Sequence, residues 1–348
     1  MSKRGSERIT KTLQPMMHIH LKRRTRNNVL LVSLLYLLLF LNSFHYTKAS
    51  FGLTPKPFNV IIVGGSSGMG KATAVSTVKR GGNVLIVSRN EEKLISASRD
   101  ILDEVQGIKS SDGDEGDDKE ENKVVVGETK DEIETRNINI GSVQTAVLDV
   151  TNEESVIDFT NQHLVKGEWD GLVFSAAGKA PHGPITTLPT SQTRELFETK
   201  FWGAYLCAKY ISPYLNDGGS IVFVSGVLNR RPGLNCSPLA STNGALEGLT
   251  RALALELGPT LRVNCLSPGF CNTERFDHMD KTKKEAMLRN TADSLPLQRV
   301  GMPIDMGESI YFLLTASFCT GVVLDCDGGH HIRQYANKST DPFRKEDS

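Results

Sequence analysis

At 348 residues, with 39% hydrophobic content, the chain is long enough to bury a core in one large domain or two small ones. Because 40 Lys and Arg balance 40 Asp and Glu, no net field argues for nucleic acid. The six cysteines (207, 236, 265, 271, 319, 326) form no CxxC pair and no disulfide scaffold. Cys207 and Cys265 lie in apolar runs and are expected to be buried free thiols.

Charge and hydropathy are distributed unevenly from the start. Residues 1–28 carry eight Lys/Arg against one Glu, and an apolar run of 13 residues follows at 29–41. That run is short of the ~20 residues that cross a bilayer comfortably. It suits a secretory signal peptide, or a signal anchor if it extends through 29–46, with small residues before a cleavage point after Ala49. The basic flank predicts a cytosolic N-terminus with the rest of the chain carried across. The expected location is a membrane or the secretory pathway (endoplasmic reticulum), with a bipartite plastid address as the alternative. A buried helix is the competing reading, weakened by Pro55 and Pro57 between the run and the first strand.

The domain is expected over 56–332, beginning with Asn59-Val60-Ile61-Ile62-Val63, a short apolar run typical of a buried parallel strand. Gly64-Gly65-Ser66-Ser67-Gly68-Met69-Gly70 then opens a helix to about residue 80. A strand at 83–87 and a helix at 91–105 complete a βαβα unit. Residues 107–140 interrupt it: 111–134 alone carry eleven Asp/Glu against three Lys, a composition predicting a disordered surface insertion or an acidic partner-binding loop. No metal site is expected there. The alternation resumes with a strand at 143–148 and a helix at 153–164. A strand at 170–174 and a helix at 191–215 come next, followed by a strand at 220–224 and a helix at 238–257. A strand at 262–266, helices at 282–290 and 304–316, and a last strand at 322–325 precede a polar tail at 333–348. Repeated βα units predict an α/β fold: a single Rossmann-type doubly wound parallel sheet with helices on both faces, binding ligands at the carboxyl ends of its strands.

The strand–glycine turn–helix at Gly64, Ser66, Ser67, Gly68, Met69 and Gly70 has the context of a dinucleotide site. Its glycines admit a pyrophosphate to the helix N-terminus. Further along, Leu148-Asp149-Val150, Ser175-Ala176-Ala177-Gly178 and Asn243-Gly244-Ala245-Leu246-Glu247-Gly248 stand at characteristic distances. So do Val263-Asn264-Cys265-Leu266-Ser267-Pro268-Gly269 and Asp327-Gly328-Gly329. Together these motifs resemble the short-chain dehydrogenase/reductase family over residues 56–106 and 142–332.

That resemblance implies cofactor contacts at Asp149 and Val150 for the adenine, and at Ala176, Ala177 and Gly178 beside its ribose. It implies others at Pro268, Gly269 and Thr273 along the nicotinamide. Cofactor choice turns on the end of the second strand, where an acid would hold a ribose 2′-hydroxyl and repel a 2′-phosphate. Ser88 and Arg89 stand there instead. A guanidinium pairs a phosphate, so NADP(H) is favoured over NAD(H), unless Arg89 is merely a solvated arginine.

The family's proton relay is replaced throughout. Its tyrosine position is Leu239, its lysine Asn243, its serine Gly226 and its helix asparagine Lys200. Lysine and asparagine have exchanged helices, which predicts Asn243 hydrogen-bonded to the nicotinamide ribose and Lys200 supplying charge or a proton. The alternative has Lys200 reaching out to solvent and Asn243 filling a polar gap. Ser225 should face away along its strand, His182 lies in a loop that can meet substrate, and Tyr205 is rotated off the Lys200 face. Two functions follow: an NADP(H)-dependent oxidoreductase acting on a small carbonyl or alcohol with an atypical proton donor, or an inactive NAD(P)-binding sensor or scaffold. Partners are a small-molecule substrate and, through 29–46, a membrane; nucleic acid is not expected and a homo-oligomer is left open.

Overall fold

The structure, a computed structural model, describes residues 57–107 and 140–332. The basic segment 1–28, the apolar segment 29–46, the acidic stretch 108–139 and the tail 333–348 lie outside the described residues. Among the described residues, no helix is long and apolar enough to cross a membrane.

Seven parallel strands form one sheet in the order β3-β2-β1-β4-β5-β6-β7. They are β1 (Asn59–Val63), β2 (Asn83–Ser88), β3 (Val143–Val147), β4 (Trp169–Phe174), β5 (Leu215–Val224), β6 (Arg262–Pro268) and β7 (Val323–Cys326). Helix α1 (Gly68–Val78) follows β1, α2 (Glu91–Gln106) follows β2, and α3 (Glu153–His163) follows β3. Further along are α4 (Thr190–Phe197), α5 (Gly203–Ile211), α6 (Ser237–Glu256), α7 (Lys281–Asp293) and α8 (Pro303–Thr315).

Alternation along β1 explains the layering. Ile61 and Val63 join the core under α3 and α5, with Phe159, Cys207 and Ile211. Val60 and Ile62 join the opposite core with Ala74, Val78, Ile310 and Leu314 of α1 and α8. Helices α1 and α8 approach closely because Gly307 has no side chain: a Cβ there would stand 2.6 Å from the carbonyl oxygen of Ala72. The central strands β1, β2, β4, β5 and β6 thus bury both faces, as a parallel sheet favours, while the edge strands β3 and β7 are partly exposed. Cys207 and Cys265 are buried free thiols, as expected.

Two expectations need correction. Residues 191–215 are not one helix. A π-helical turn, Glu198–Trp202, separates α4 from α5, a 3₁₀ turn follows at Ser212–Tyr214, and Leu215 already belongs to β5, opposite Trp169. The acidic insertion also has structured ends. Gly107 closes α2 in the left-handed region (φ +72°), its N–H bonded to the carbonyl of Asp103, and Ile140 packs against the core.

Candidate active site

The strand order reverses at β1, between its neighbours β2 and β4, which opens a crevice at the carboxyl ends. Gly64 sits there at φ +84°, and a Cβ on it would lie 2.6 Å from the amide nitrogen of Ala176. A Cβ on Gly70 would lie 2.2 Å from Gly64's carbonyl oxygen and 2.5 Å from Ser175 Oγ. Ser175 ties β4 to this turn, its hydroxyl donating to the carbonyls of Val63 (3.0 Å) and Gly64 (3.3 Å). Ser67 precedes α1 in an extended conformation without capping it through its side chain. The first-turn amides therefore face the crevice, and one of them already holds an anionic oxygen: Gly68 N–H donates to Glu274 Oε2 at 2.9 Å. A cradle that side chains would fill, ending in an amide that carries a carboxylate, fits a dinucleotide pyrophosphate.

Around the turn, Arg89 is exposed past the end of β2, beside half-buried Ser88. Asp149 Oδ1 accepts from Thr151 N–H (3.0 Å) and Oγ1 (2.8 Å), so part of its carboxylate is committed within its own loop. Val150 is buried against Gly203, which leaves its backbone for any ligand. Ala176 packs against the core.

A cavity of about 450 Å³ continues from the turn. Met69, Ala177, Gly178, Pro268, Gly269 and Thr273 line it on the cofactor side, and Lys200, Asn243, Gly226 and Leu239 on the other. His182 lines it from its loop. Exposed Tyr205 does not belong to the lining, in keeping with its turn away from Lys200.

Lys200 does not reach for solvent. It is 5% exposed, and its Nζ donates to Asn243 Oδ1 at 2.6 Å and to the carbonyl of Ser225 at 2.9 Å. The π turn carries it: one extra residue in the helical repeat re-aims the side chain toward α6. An ammonium only donates, so the Asn243 oxygen must face it. The amide NH₂ is left to bond the carbonyl of Gly226 at 3.1 Å. Gly226 has φ +153°, and a Cβ on it would fall 2.8 Å from Asn243 Nδ2. The absent serine, the asparagine and the lysine are therefore one coupled arrangement.

Burial depresses the Lys200 pKa to about 8; nearby Arg275 adds to the depression and Cys265 opposes it. Burial in turn pushes the Cys265 thiol up to about 11, so it is neutral near pH 7. Ser225 is among the lining residues, and its Oγ donates to Glu247 Oε1 (3.2 Å) and to the carbonyl of Leu266 (3.3 Å). Arg230 bridges buried Glu247, Ser267 and Asp325, and holds the loop after β5 against β6 and β7. Of these, Arg275 and Arg230 carried no motif; only their tertiary neighbours mark them. The π turn was equally silent.

The fold and this crevice define a dinucleotide-dependent oxidoreductase scaffold, and comparison with known proteins specifies it. Residues 119–331 match the family model described as Enoyl-(Acyl carrier protein) reductase, and residues 59–135 match the model for short chain dehydrogenase. L-fucose dehydrogenase of Oryctolagus cuniculus is 34% identical over 190 residues, covering 53% of this chain and 67% of the relative. The 3-oxoacyl-[acyl-carrier-protein] reductase of Mus musculus is 29% identical over 273 residues, covering 77% and 95%. A solved small-chain dehydrogenase in complex with NADPH superposes with TM-score 0.57 at 28% identity, covering 78% and 98%. A short-chain dehydrogenase/reductase from Mycobacterium ulcerans does so with TM-score 0.64 at 26% identity, covering 81% and 92%. The chain belongs to the short-chain dehydrogenase/reductase family, whose members are NAD(P)-dependent oxidoreductases.

Proposed function

We propose that this protein interconverts a small carbonyl and its alcohol with NADP(H), and that Lys200 does the proton-handling work that Leu239 cannot do. The observation that carries the reading is the buried Lys200 ammonium at the cavity wall, held by Asn243 and the Ser225 carbonyl. Of its three N–H donors, two are engaged by these partners and the third remains for a substrate oxygen. A pKa near 8 suits a general acid at neutral pH, because the group is mostly protonated yet gives its proton up readily. Bound NADP(H) supplies or accepts the hydride at the substrate carbon. Lys200 then donates the proton to the substrate oxygen during reduction and receives it during oxidation. Asn243 fixes the ammonium, and its own amide is anchored by Gly226, so Asn243 serves the ribose through Lys200 more than by direct contact. Leu239 offers the substrate an apolar wall.

Ser88 and Arg89 favour NADP(H), since no acid at that strand end opposes a 2′-phosphate and the guanidinium is exposed to meet one. Titration of both cofactors against wild type and Arg89→Ala tests this. NADPH affinity should fall about fivefold in the variant, the value of one exposed ion pair, with NADH unchanged; equal wild-type affinities would remove the assignment. Oxidation of NADPH by the full chain across a broad carbonyl panel tests the activity. Tight NADPH binding without turnover on any carbonyl would favour a sensor or scaffold, the reading that Leu239 at the tyrosine position supports.

The apolar segment 29–46 is proposed to target or anchor the chain at a membrane, with the domain on the side opposite the basic N-terminus. Digestion of a C-terminal tag in intact microsomes without detergent would contradict that orientation.

A further inference from the structure

Arg275 also lines the cavity, at its solvent-exposed rim, and none of the carboxylates beside it is engaged with it. Glu274 is turned to the Gly68 N–H, and Asp277 is paired with Lys284 Nζ at 2.7 Å. No ion pair to Arg275 occurs among the described residues, and no Asp or Glu belongs to the cavity lining. Burial sets the direction of both pKa values. Arg275 is lowered by burial with no acid to raise it, and Arg275 is itself among the causes that lower Lys200. Lys200 has only neutral partners. Leu196, Leu239 and Phe276 also line the cavity, apolar side chains that give little dielectric relief.

With no acid among the described residues lining the cavity, buried Lys200 and rim-placed Arg275 leave it positive, which favours an anion within it. The glycine turn at the N-terminus of α1, which fits a pyrophosphate, is built from Gly64, Gly68 and Gly70, and Arg275 makes no hydrogen bond to it among the described residues. We propose that Arg275 receives an anionic oxygen group on the substrate, so that the substrate class is a small carbonyl or hydroxy compound bearing a carboxylate or phosphate. Its carbonyl oxygen meets Lys200 and its anionic end the planar fork of Arg275. This rests on the oxidoreductase reading of the Lys200 cavity.

Binding of matched probes to the full-length, NADP⁺-saturated protein by calorimetry tests it without relying on turnover. The pairs are phenylglyoxylate against its methyl ester, and dihydroxyacetone phosphate against dihydroxyacetone. At least one anion should bind about 10-fold or more tightly than its neutral partner, and the favoured pair identifies carboxylate or phosphate. That margin should collapse in Arg275→Gln and survive in part in Arg275→Lys, with NADPH affinity unchanged in both. Equal binding within both pairs overturns the proposal. So does Arg275→Gln that loses NADPH affinity while probe binding stays, because Arg275 would then serve the cofactor. Selective anion binding with no oxidation of NADPH by any probe in a parallel assay keeps the anion site at Arg275 and counts against the oxidoreductase reading.

Discussion

The cofactor turn and the Lys200 corner lie in one crevice and are built by opposite means. At the turn, backbone does the work: Gly64 and Gly70 let carbonyl and amide groups approach where any Cβ would collide. At the corner, side chains do it: Lys200, Asn243 and the bare Gly226 satisfy one another's hydrogen bonds in a buried pocket. A Cβ at Gly64 or Gly70 would run into backbone, so glycine itself marks the turn in the sequence. A side-chain network depends on which partners neighbouring elements bring, here an ammonium from the π turn and an amide from α6.

The largest test strikes the turn. Gly70→Val should overpack backbone against backbone, cost about 3 kcal/mol of stability and abolish cofactor binding, as read by denaturant melts and NADPH titration. Gly68→Ala is the contrast within the same turn. Its Cβ meets nothing nearer than Thr273 Cγ2 at 3.5 Å, so only the φ of +53° is strained, at about 1 kcal/mol. Equal damage from the two would mean that the turn is not ordered by these contacts.

At the corner, Lys200→Met should lower reductase activity at least ~10-fold with the fold intact. In wild type, kcat/KM for reduction should be flat below pH 8 and fall as pH rises through it, because the neutral amine has no proton to donate. Oxidation should show the opposite slope. The same depressed pKa affects stability. The folded state gives up its Lys200 proton at about 8, the unfolded chain near 10.5, so the buried charge costs stability fully below pH 8. That cost fades as pH rises from about 8 to 10.5, a window in which Lys200→Met should lose its pH dependence relative to wild type. A pH-rate profile unchanged in Lys200→Met would assign the proton to another group.

Restoring the family arrangement sharpens the comparison further. Leu239→Tyr with Asn243→Lys puts two ammonium groups in one pocket and should not raise activity. Adding Lys200→Asn relieves the repulsion. The structure adds Gly226→Ser to that set, since its Cβ would otherwise meet the Asn243 amide at 2.8 Å. The fourfold variant should exceed the double variant in kcat/KM, and Gly226→Ser alone should destabilise by about 1–2 kcal/mol. A stable Gly226→Ser would show that the corner can repack and is not coupled as described.

The smallest effect returns to the turn. Glu274 takes the Gly68 amide at the proposed pyrophosphate site, so Glu274→Gln should tighten NADPH binding by about threefold, the scale of one charge at a helix N-terminus. Weaker binding would mean that Glu274 helps to hold the loop in its binding position.

Strand positions and the glycine turn were legible because both depend on local features: apolar runs of strand length, and glycine where backbone must approach backbone. Most predicted strands begin or end within a residue or two of those observed. The stretch 191–215 was misread because its apolar pattern suits one helix. The π turn shifts the phase by one residue to bring Lys200 inward, and Leu215 joins β5 only through pairing with distant Trp169. The exchange of lysine and asparagine was visible in sequence, but not its outcome. Whether Lys200 entered the pocket or reached solvent depended on partners supplied by Ser225 and α6.

The sequence alone carried the doubly wound sheet and the glycine turn between its first strand and first helix, since each is written in neighbouring residues. The tertiary structure supplied the burial of Lys200, its pairing with Asn243, the bare Gly226 that admits that pair, and an Arg275 with no ion pair among the described residues. These depend on distances between elements far apart in the chain. Desolvation and hydrogen-bond satisfaction are properties of that shared space, and no local pattern encodes them.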